Sequence, residues 1–394
     1  MDAIFVLTHD CNLGCSYCYA GRKFKKPMSK EVRDAGLALA FRGLDAGAAV
    51  ELAYFGGEPT LEWNLLVETA TQARETAAAR GIKLRQSVTT NGTLLTRERV
   101  RTLVDLDFYV ALSIDGNQAA HEAHRPTMNG KSSFSDVSRG LDLLLEGGKA
   151  FETISVLTPE TAPLLGESVE YLFERGVPRI TVNPAYEAVW TDAAIAHWQD
   201  GLVHTAKVVA RAFREGRIVS YSAFDAKIVA RLKGGLEACD TCTLGDGSVA
   251  IAPGGNLYAC ERLVGEDEDP RHVIGHVERG IDAPKVRASR AQMPDHHATN
   301  DECGDCAERG RCGAYCACAN LAETGNASIA GGVQCWHERI NMEIADALYA
   351  TLTGERNPSF AQWFALDLER LPAPAAPVVA KQIATNKRRL AVVP

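Results

Sequence analysis

The sequence predicts an α/β fold of parallel strands with helical crossovers, followed by a cysteine-rich region of different character. Three observations carry that prediction. Short apolar runs alternate with longer helical patterns over the first 235 residues. Polar and glycine-rich segments recur just after the apolar runs. Nine of the twelve cysteines lie between residues 239 and 335, where periodic apolar sequence is scarce.

The elements follow in order. AIFVLT (3–8) reads as a strand, and residues 28–46 as a helix with Ser29 at its N-cap. VELAYF (50–55) is the second strand, and residues 61–81 a helix closed by Gly81. KLRQSVTT (83–90) precedes a helix near 96–104, and FYVALSI (108–114) precedes one over 134–147. FETISVLT (151–158) leads into a helix over 161–175, and RITVN (179–183) into a long helix over 192–215. Six strand–helix units in a row argue for a parallel sheet, and periodicity leaves open whether the sheet closes. The pattern stops near 235, which sets a first domain at 1–235 and a second at 236–352. There SVAIAPGGNLYAC reads as two short strands about a Pro-Gly-Gly turn, and 337–352 as a helix. Residues 353–394 are expected to be a tail, extended or mobile in its Pro- and Ala-rich part. A region so poor in core material needs staples, and metal clusters supply them.

Composition narrows the function. A chain of 394 residues with formal charge −8 is a poor match for a nucleic-acid or anionic-membrane binder. The run Arg22, Lys23, Lys25, Lys26 reads as a solvated loop or as a contact for an acidic partner. The N-terminus has no signal-peptide pattern, and no apolar stretch is long enough to span a bilayer. The expected compartment is the cytoplasm, where twelve cysteines point to metal sites over disulfides.

The chemistry gathers where the strands end. After the first comes Cys11-x3-Cys15-x2-Cys18; after the second, Gly56-Gly57-Glu58-Pro59; after the third, Asn91-Gly92; the fourth runs into Ser113 and Asp115-Gly116. In parallel α/β folds, loops at the C-terminal strand ends converge on one site. Three cysteines are one short of a closed tetrahedral site. From the triplet alone the readings are an iron–sulfur cluster with one open iron, a three-thiolate zinc site, or unligated thiols.

The triplet with an aromatic (Tyr17) before its third cysteine, followed by Gly56-Gly57-Glu58-Pro59, resembles the radical S-adenosylmethionine (SAM) superfamily over roughly residues 1–235. The resemblance implies a partial (β/α)6 TIM-like barrel. It implies that Cys11, Cys15 and Cys18 hold a [4Fe–4S] cluster whose open iron chelates SAM. Gly56, Gly57 and Glu58 would meet the SAM amino group, and Ser113 and Arg125 its carboxylate. Tyr17, Asn91 and Asp115 would line the pocket. The plainer alternatives are turn chemistry for Asn91 and Asp115, a helix N-terminal charge for Glu58 and an ion pair or surface role for Arg125. The reaction implied is reductive cleavage of SAM to a 5′-deoxyadenosyl radical, with an electron donor such as ferredoxin or flavodoxin.

Cys303-x2-Cys306-x5-Cys312-x3-Cys316, then Cys335, with Cys242 and Gly255-x4-Cys260 upstream, resembles the SPASM extension of that superfamily. The resemblance implies two auxiliary [4Fe–4S] clusters. Cys242, Cys260 and Cys316 would hold the nearer, completed by Cys239 or left open. Cys303, Cys306, Cys312 and Cys335 would hold the farther. Cys318 is the spare and could compete with Cys316. A zinc-ribbon-like scaffold or a disulfide framework is the bland alternative, and His296 and His297 read as a solvated loop.

Such enzymes act mostly on peptides or proteins. One branch matures ribosomally synthesised peptides by crosslink, thioether or epimerisation; the other oxidises a sulfatase Cys or Ser to formylglycine. Glu261 follows Cys260 where the sulfatase branch typically has a catalytic Asp, which favours the peptide maturases and makes Glu261 the candidate catalytic acid/base. Against the peptide maturases, no leader-binding domain is expected ahead of the first strand, so a leader is expected to be bound by a separate protein, by a sheet edge, or not at all. Tyr186 and Glu187 are weaker candidates for substrate contacts. The alternative from another class is a non-catalytic iron–sulfur electron carrier or zinc scaffold.

Overall fold

The computed structural model of the chain describes residues 2–237, 240, 242, 244–291, 301–313 and 316–369. In chain order the elements are β1 (Asp2–Val6), α1 (Lys30–Ala40), β2 (Ala49–Phe55), α2 (Trp63–Arg80), β3 (Lys83–Thr90), α3 (Arg97–Asp105), β4 (Phe108–Ser113), α4 (Gln118–His124) and α5 (Phe134–Glu146). Next come β5 (Phe151–Leu157), α6 (Leu165–Glu174), β6 (Arg179–Pro184), α7 (Asp192–Arg214), β7 (Ser220–Tyr221) and α8 (Ser222–Lys233). The remainder holds β8 (Ser248–Ile251), β9 (Asn256–Tyr258), β10 (Val273–His276), β11 (Gly280–Ile281), α9 (Ala283–Ala291), α10 (Asp301–Gly304), α11 (Ala317–Thr324), α12 (Gly332–Gly354) and α13 (Pro358–Trp363).

All six strand–helix units expected from periodicity are present. Local chemistry explains their ends. Ser29 caps α1 by accepting from the Val32 N–H, worth about 1 kcal/mol. Gly81 ends α2 in the left-handed region at φ 64°, where a side chain would be strained. Within the first 235 residues three elements were not legible. Helix α4 is a single short segment, and β7–α8 adds a further strand–helix pair behind a two-residue strand.

The chain forms two compact units. The first comprises Met1–Ile114, His121–Glu152 and Thr243–Gln292. Its strands run in the order β11-β10-β9-β8-β1-β2-β3-β4. β1 to β4 are parallel, in the registers Ala3↔Leu52, Val50↔Leu84 and Val88↔Val110. Phe5, Tyr54 and Phe108 form a fully buried aromatic row within this unit, with centroids 6.0 and 5.3 Å apart.

The expected boundary near 235 does not separate this unit from everything after it. The two strands of SVAIAPGGNLYAC form as expected, but β8 joins β1 in parallel, with Phe5 opposite Ile251. β9 returns antiparallel, with Ala250 opposite Tyr258. The reason is apolar: Val249, Ala250 and Ile251 are fully buried, and Ala250 joins Val6, Ala252, Tyr258 and Val264 in one cluster. Gly36 of α1 lies so close to Phe5 and Ile251 that a Cβ there would meet both below 3 Å.

The second unit comprises Asp115–Ala120, Thr153–Cys242 and Met293–Pro394. β5, β6 and β7 are parallel, with Thr153 opposite Ile180 and Ile180 opposite Tyr221. α7 packs on α6, and α12 packs on both α7 and α8. Trp198 of α7 is buried between Trp190 and Trp336, with ring centroids 4.5 and 4.8 Å away. The expected tail from 353 is partly folded. α12 runs to Gly354, and α13 buries Phe360 edge-on against Phe213 at 5.3 Å. The Pro- and Ala-rich stretch 370–394 lies outside the described residues.

Candidate active site

The three-cysteine loop leaves β1 and is pinned by its backbone and by the buried Leu13 side chain. The Gly14 and Ser16 N–H groups donate to Pro126 O and His124 O at 2.8 and 3.0 Å, and Met128 N–H donates to Asn12 O at 3.2 Å. Cys11, Cys15 and Cys18 are free thiols, each partly exposed. Burial pushes the Cys11 thiol up to about 12, and the nearby Glu58 carboxylate adds to the rise. Such a thiol keeps its proton unless a metal takes the proton's place. Tyr17 tilts against His124 and lies beneath the Arg125 guanidinium, 5.4 Å from the ring centroid.

The Gly56-Gly57-Glu58 segment runs along the chain that leads into this loop. Gly57 N–H donates to Thr8 O at 2.9 Å, and Glu58 N–H to Asp10 O at 2.8 Å. The approach excludes side chains. A Cβ on Gly56 would sit 2.5 Å from Thr8 O, and one on Gly57 only 2.1 Å from Asp10 O. Gly56 also has φ 144°, a backbone that favours glycine.

Glu58 is buried, at 1% exposure. Its Oε1 accepts from Thr60 N at 2.9 Å, Thr60 Oγ1 at 2.5 Å and Thr90 Oγ1 at 2.7 Å; its Oε2 accepts from Asn91 N at 2.7 Å. Burial pushes this carboxyl up, and the donors oppose the rise. The side chain thus ties the end of β2 to the end of β3. Asn91 extends the tie: its Nδ2 donates to Asn12 Oδ1 at 2.8 Å, while its Oδ1 accepts from Thr93 N and Thr93 Oγ1 at 3.0 and 2.7 Å. Asn12 closes the circuit by donating to Thr93 Oγ1 at 2.8 Å.

The structure therefore brings together Cys11, Glu58 and Asn91 from three strand ends of the first unit. Ser113 is half-buried at the end of β4, in the same unit. Arg125 is buried at 6% exposure. Asp115 belongs to the second unit, where its Oδ1 accepts from the Val156 N–H at 2.8 Å. Sequence reasoning missed Asn12, Thr60, Thr90 and Thr93. Asn12, inside the cysteine loop, was the one available signal.

The basic run is not a bare solvated loop. Arg22 forms a forked pair with Glu266 at 2.8 and 2.6 Å, and Lys26 approaches Asp267 at 3.4 Å. Lys23 Nζ donates to Cys18 Sγ at 2.8 Å. Its acidic counterparts follow Cys260 and Glu261 in sequence. Glu261 is half-buried, and its Oε2 lies 3.4 Å from Cys260 Sγ. The adjacent Arg262 lies over the Tyr19 ring at 5.0 Å, and Tyr19 stacks on Phe55.

In the second unit Cys242, Cys303, Cys306, Cys312 and Cys316 are partly exposed, Cys335 is exposed and Cys318 is buried. Cys318 Sγ lies 3.4 Å from Cys316 Sγ, so the spare cysteine sits beside an expected ligand. A buried ion pair between Lys227 and Glu338, and a forked pair from Arg311 to Asp346 at 2.9 and 2.8 Å, bind the segment around Cys312 to α8 and α12. Tyr186 is committed to His337, 2.9 Å from its Nδ1. Glu187 is exposed. Cys239, His296 and His297 lie outside the described residues.

Among the described residues no three His, Cys, Asp or Glu side chains converge on a single-ion site. A cube does not need that convergence, because each thiolate binds a different iron. An all-thiol donor set with no imidazole or carboxylate among its members fits an iron–sulfur centre.

Comparison with known proteins agrees with this chemistry. The family described as the radical SAM superfamily matches residues 5–172. The serine-type anaerobic sulfatase-maturating enzyme of Klebsiella aerogenes is 26% identical over 336 residues, covering 82% of this chain and 80% of that protein. The fold is shared with native anSMEcpe with bound AdoMet and Cp18Cys peptide, at TM-score 0.74 and 21% identity, covering 88% of this chain and 97% of that one. It is shared at TM-score 0.56 and 14% identity with Streptococcus suis SuiB bound to precursor peptide SuiA, covering 83% and 74%. The matched region spans the loops that Glu58 and Asn91 tie together: residues 5–172 carry a radical SAM domain, and the chain is a radical SAM enzyme with anaerobic sulfatase-maturating enzymes among its relatives.

Proposed function

We propose that the protein is a peptide maturase: it uses a SAM-derived radical to abstract hydrogen from a residue of a peptide substrate and so installs a crosslink, thioether or epimerised centre. The family implies a [4Fe–4S] cluster and SAM, which together supply a 5′-deoxyadenosyl radical when bound. Cys11, Cys15 and Cys18 would hold the cluster. The backbone of Gly56 and Gly57 would face the SAM amino group, with Glu58 fixing that backbone and not reaching the ligand itself. Ser113 and Arg125 would take the carboxylate, with Tyr17 packed beneath Arg125. Asn91 would hold the cysteine loop in register with β3. Asp115, bonded to the Val156 N–H, keeps its pocket role only as a proposal.

The observation that carries the peptide-maturase reading is Glu261 beside Cys260, where the sulfatase branch typically has an Asp. The extra methylene moves the carboxylate by roughly an ångström, enough to change positioned proton transfer. A second reading, oxidation of Cys or Ser to formylglycine, is favoured by the likeness to a sulfatase-maturating enzyme along most of both chains. In both readings Cys242, Cys260 and Cys316, with Cys239 or Cys318, would hold one auxiliary cluster. Cys303, Cys306, Cys312 and Cys335 would hold another. A ferredoxin or flavodoxin would supply electrons in the cytoplasm, and a separate protein could present the leader. Among the described residues no helix is long and apolar enough to cross a membrane.

The test is anaerobic reconstitution, iron and sulfide analysis, and assay of 5′-deoxyadenosine with dithionite and candidate peptides. About twelve irons per chain fits three cubes. A peptide that loses a hydrogen pair without gaining an aldehyde, or takes up solvent deuterium, supports the maturase. An aldehyde on a sulfatase-derived Cys or Ser peptide, with no turnover of short precursor peptides, transfers the assignment to the second reading. Stoichiometric zinc in place of iron removes both.

A further inference from the structure

We propose that Lys23 sets the reduction potential of the centre held by the three-cysteine loop, and that the ion pairs on either side of Lys23 keep it in place. The proposal rests on the reading of Cys18 as a cluster ligand. Its observation is independent of that reading: Lys23 Nζ lies 2.8 Å from Cys18 Sγ.

A lysine side chain is long and mobile, so a single contact at its tip needs support. The structure provides it on both sides. Arg22 grips Glu266 with its guanidinium, and its main-chain N–H donates to Glu266 Oε1 at 3.0 Å. Phe24 stacks on buried His9, with centroids 4.7 Å apart and planes 17° from parallel. Lys26 reaches Asp267, whose side chain is 1% exposed and also accepts from Asn256 Nδ2 at 3.0 Å and Tyr258 Oη at 2.8 Å. Asp267 sits at φ 61°, a position a non-glycine residue adopts at some cost in energy. Residues 22, 24 and 26 are therefore anchored, and Lys23 is held between them. Glu266 and Asp267 are met by Arg22 and Lys26. Among the described residues Lys23 forms no ion pair, which leaves its ammonium group directed at the sulfur.

The direction of the effect follows from charge. One-electron reduction makes the cluster and its thiolates more negative. A cation at hydrogen-bond distance from a ligand sulfur stabilises the reduced form more than the oxidised form, and so raises the potential. The segment is then a tuning device as well as a strap, because it fixes a charge against one ligand of the centre that must be reduced.

The experiment is an EPR-monitored redox titration of the reconstituted full chain, following the cluster whose signal changes on addition of SAM, with iron measured per chain. Lys23→Gln is expected to leave about tenfold less of that cluster reduced at a given solution potential, a shift of about 59 mV to lower potential. Lys23→Arg is expected to keep most of the parental value. Glu266→Gln, which touches no cysteine, is expected to shift in the same direction by less, as Lys23 loses its anchor. A parental potential in Lys23→Gln at parental iron content overturns the proposal. If Lys23→Gln takes up no iron, Glu266→Gln decides: a lowered potential supports the proposal, and an unchanged one overturns it. A parent chain with no SAM-responsive cluster signal defeats the ligand reading itself, which is a different result from an unshifted Lys23→Gln.

Discussion

Glu58→Gln is the sharpest probe of the site, because it changes one atom and leaves the shape. The parental carboxylate receives four donors: Thr60 N–H, the Thr60 and Thr90 hydroxyls, and Asn91 N–H. The two hydroxyls can rotate and accept; the two backbone N–H groups cannot. In the least damaging orientation the new amide nitrogen replaces Oε2 and faces the Asn91 N–H. That leaves a buried backbone donor unmet, about 1–3 kcal/mol, and weakens the other three bonds by removing their charge, for a total of about 2–4 kcal/mol. With a slope near 3 kcal/mol/M, the urea midpoint of the first unit's transition is expected to fall by about 1 M. Because Asn91 also holds Asn12, the cysteine loop should loosen, and iron retention should fall with stability. A parental urea midpoint in Glu58→Gln would refute the reasoning. It would mean that the side chain is a neutral acid in the folded protein, for which an amide is a fair replacement.

Gly57→Ala should displace the strand-end loop altogether, since its Cβ would stand 2.1 Å from a main-chain oxygen, whereas Gly310→Ala, with nothing within 4 Å, should be near neutral; a loss of about 4 kcal/mol or more in the first and under about 0.5 in the second is expected in urea unfolding. Burial pushes the Asp225 carboxyl up to about 6, opposed by donation from Ser220 Oγ and Trp363 Nε1. The folded state therefore holds this proton more tightly than the unfolded chain, so the group's contribution is present at low pH and is lost as pH rises through about 4 to 6. Asp225→Asn should stabilise the protein at pH 7.5 by about 2–3 kcal/mol and leave it unchanged near pH 4, seen as a thermal midpoint that no longer falls across that window. Lys227→Met should cost about 3–5 kcal/mol by stranding Glu338, and Lys227→Met with Glu338→Leu should recover most of it, which a double-mutant cycle in urea would read directly.

The strand–helix alternation of the first 215 residues was legible because each strand is a short apolar run and each helix has one apolar face. The spacing of Cys11, Cys15 and Cys18 was legible because it is local. What escaped was whatever depends on distant pairing. Val249–Ile251 reads as a strand in isolation, but nothing in those residues says that their partner is β1, nearly 250 positions away. Arg22 and Lys26 look like a solvated charge run until Glu266 and Asp267 are folded against them. Asp115 and Asn91 look alike, each an acceptor before a glycine, yet one meets a strand N–H and the other joins two loops. The tail from 353 is partly folded for another reason: the apolar run around Phe360 is short, and its burial against Phe213 depends on a tertiary contact.

The same loop is held by two polar devices that enter it at different points along the chain. Asn91 and Glu58 act next to Cys11, through Asn12; Arg22, Lys23 and Lys26 act just after Cys18. Buried Leu13 anchors the loop as well, but the hydrophobic effect is non-directional and fixes position better than orientation. Hydrogen bonds and forked ion pairs fix both. A centre that takes one thiolate per iron needs each sulfur aimed, and a supporting shell of directional bonds is the means available to a loop with little core. The two devices should therefore separate on mutation. Loosening the Asn91 end should disturb Cys11 and cluster retention, whereas loosening the Glu266 end should disturb Cys18 and the potential while iron stays bound.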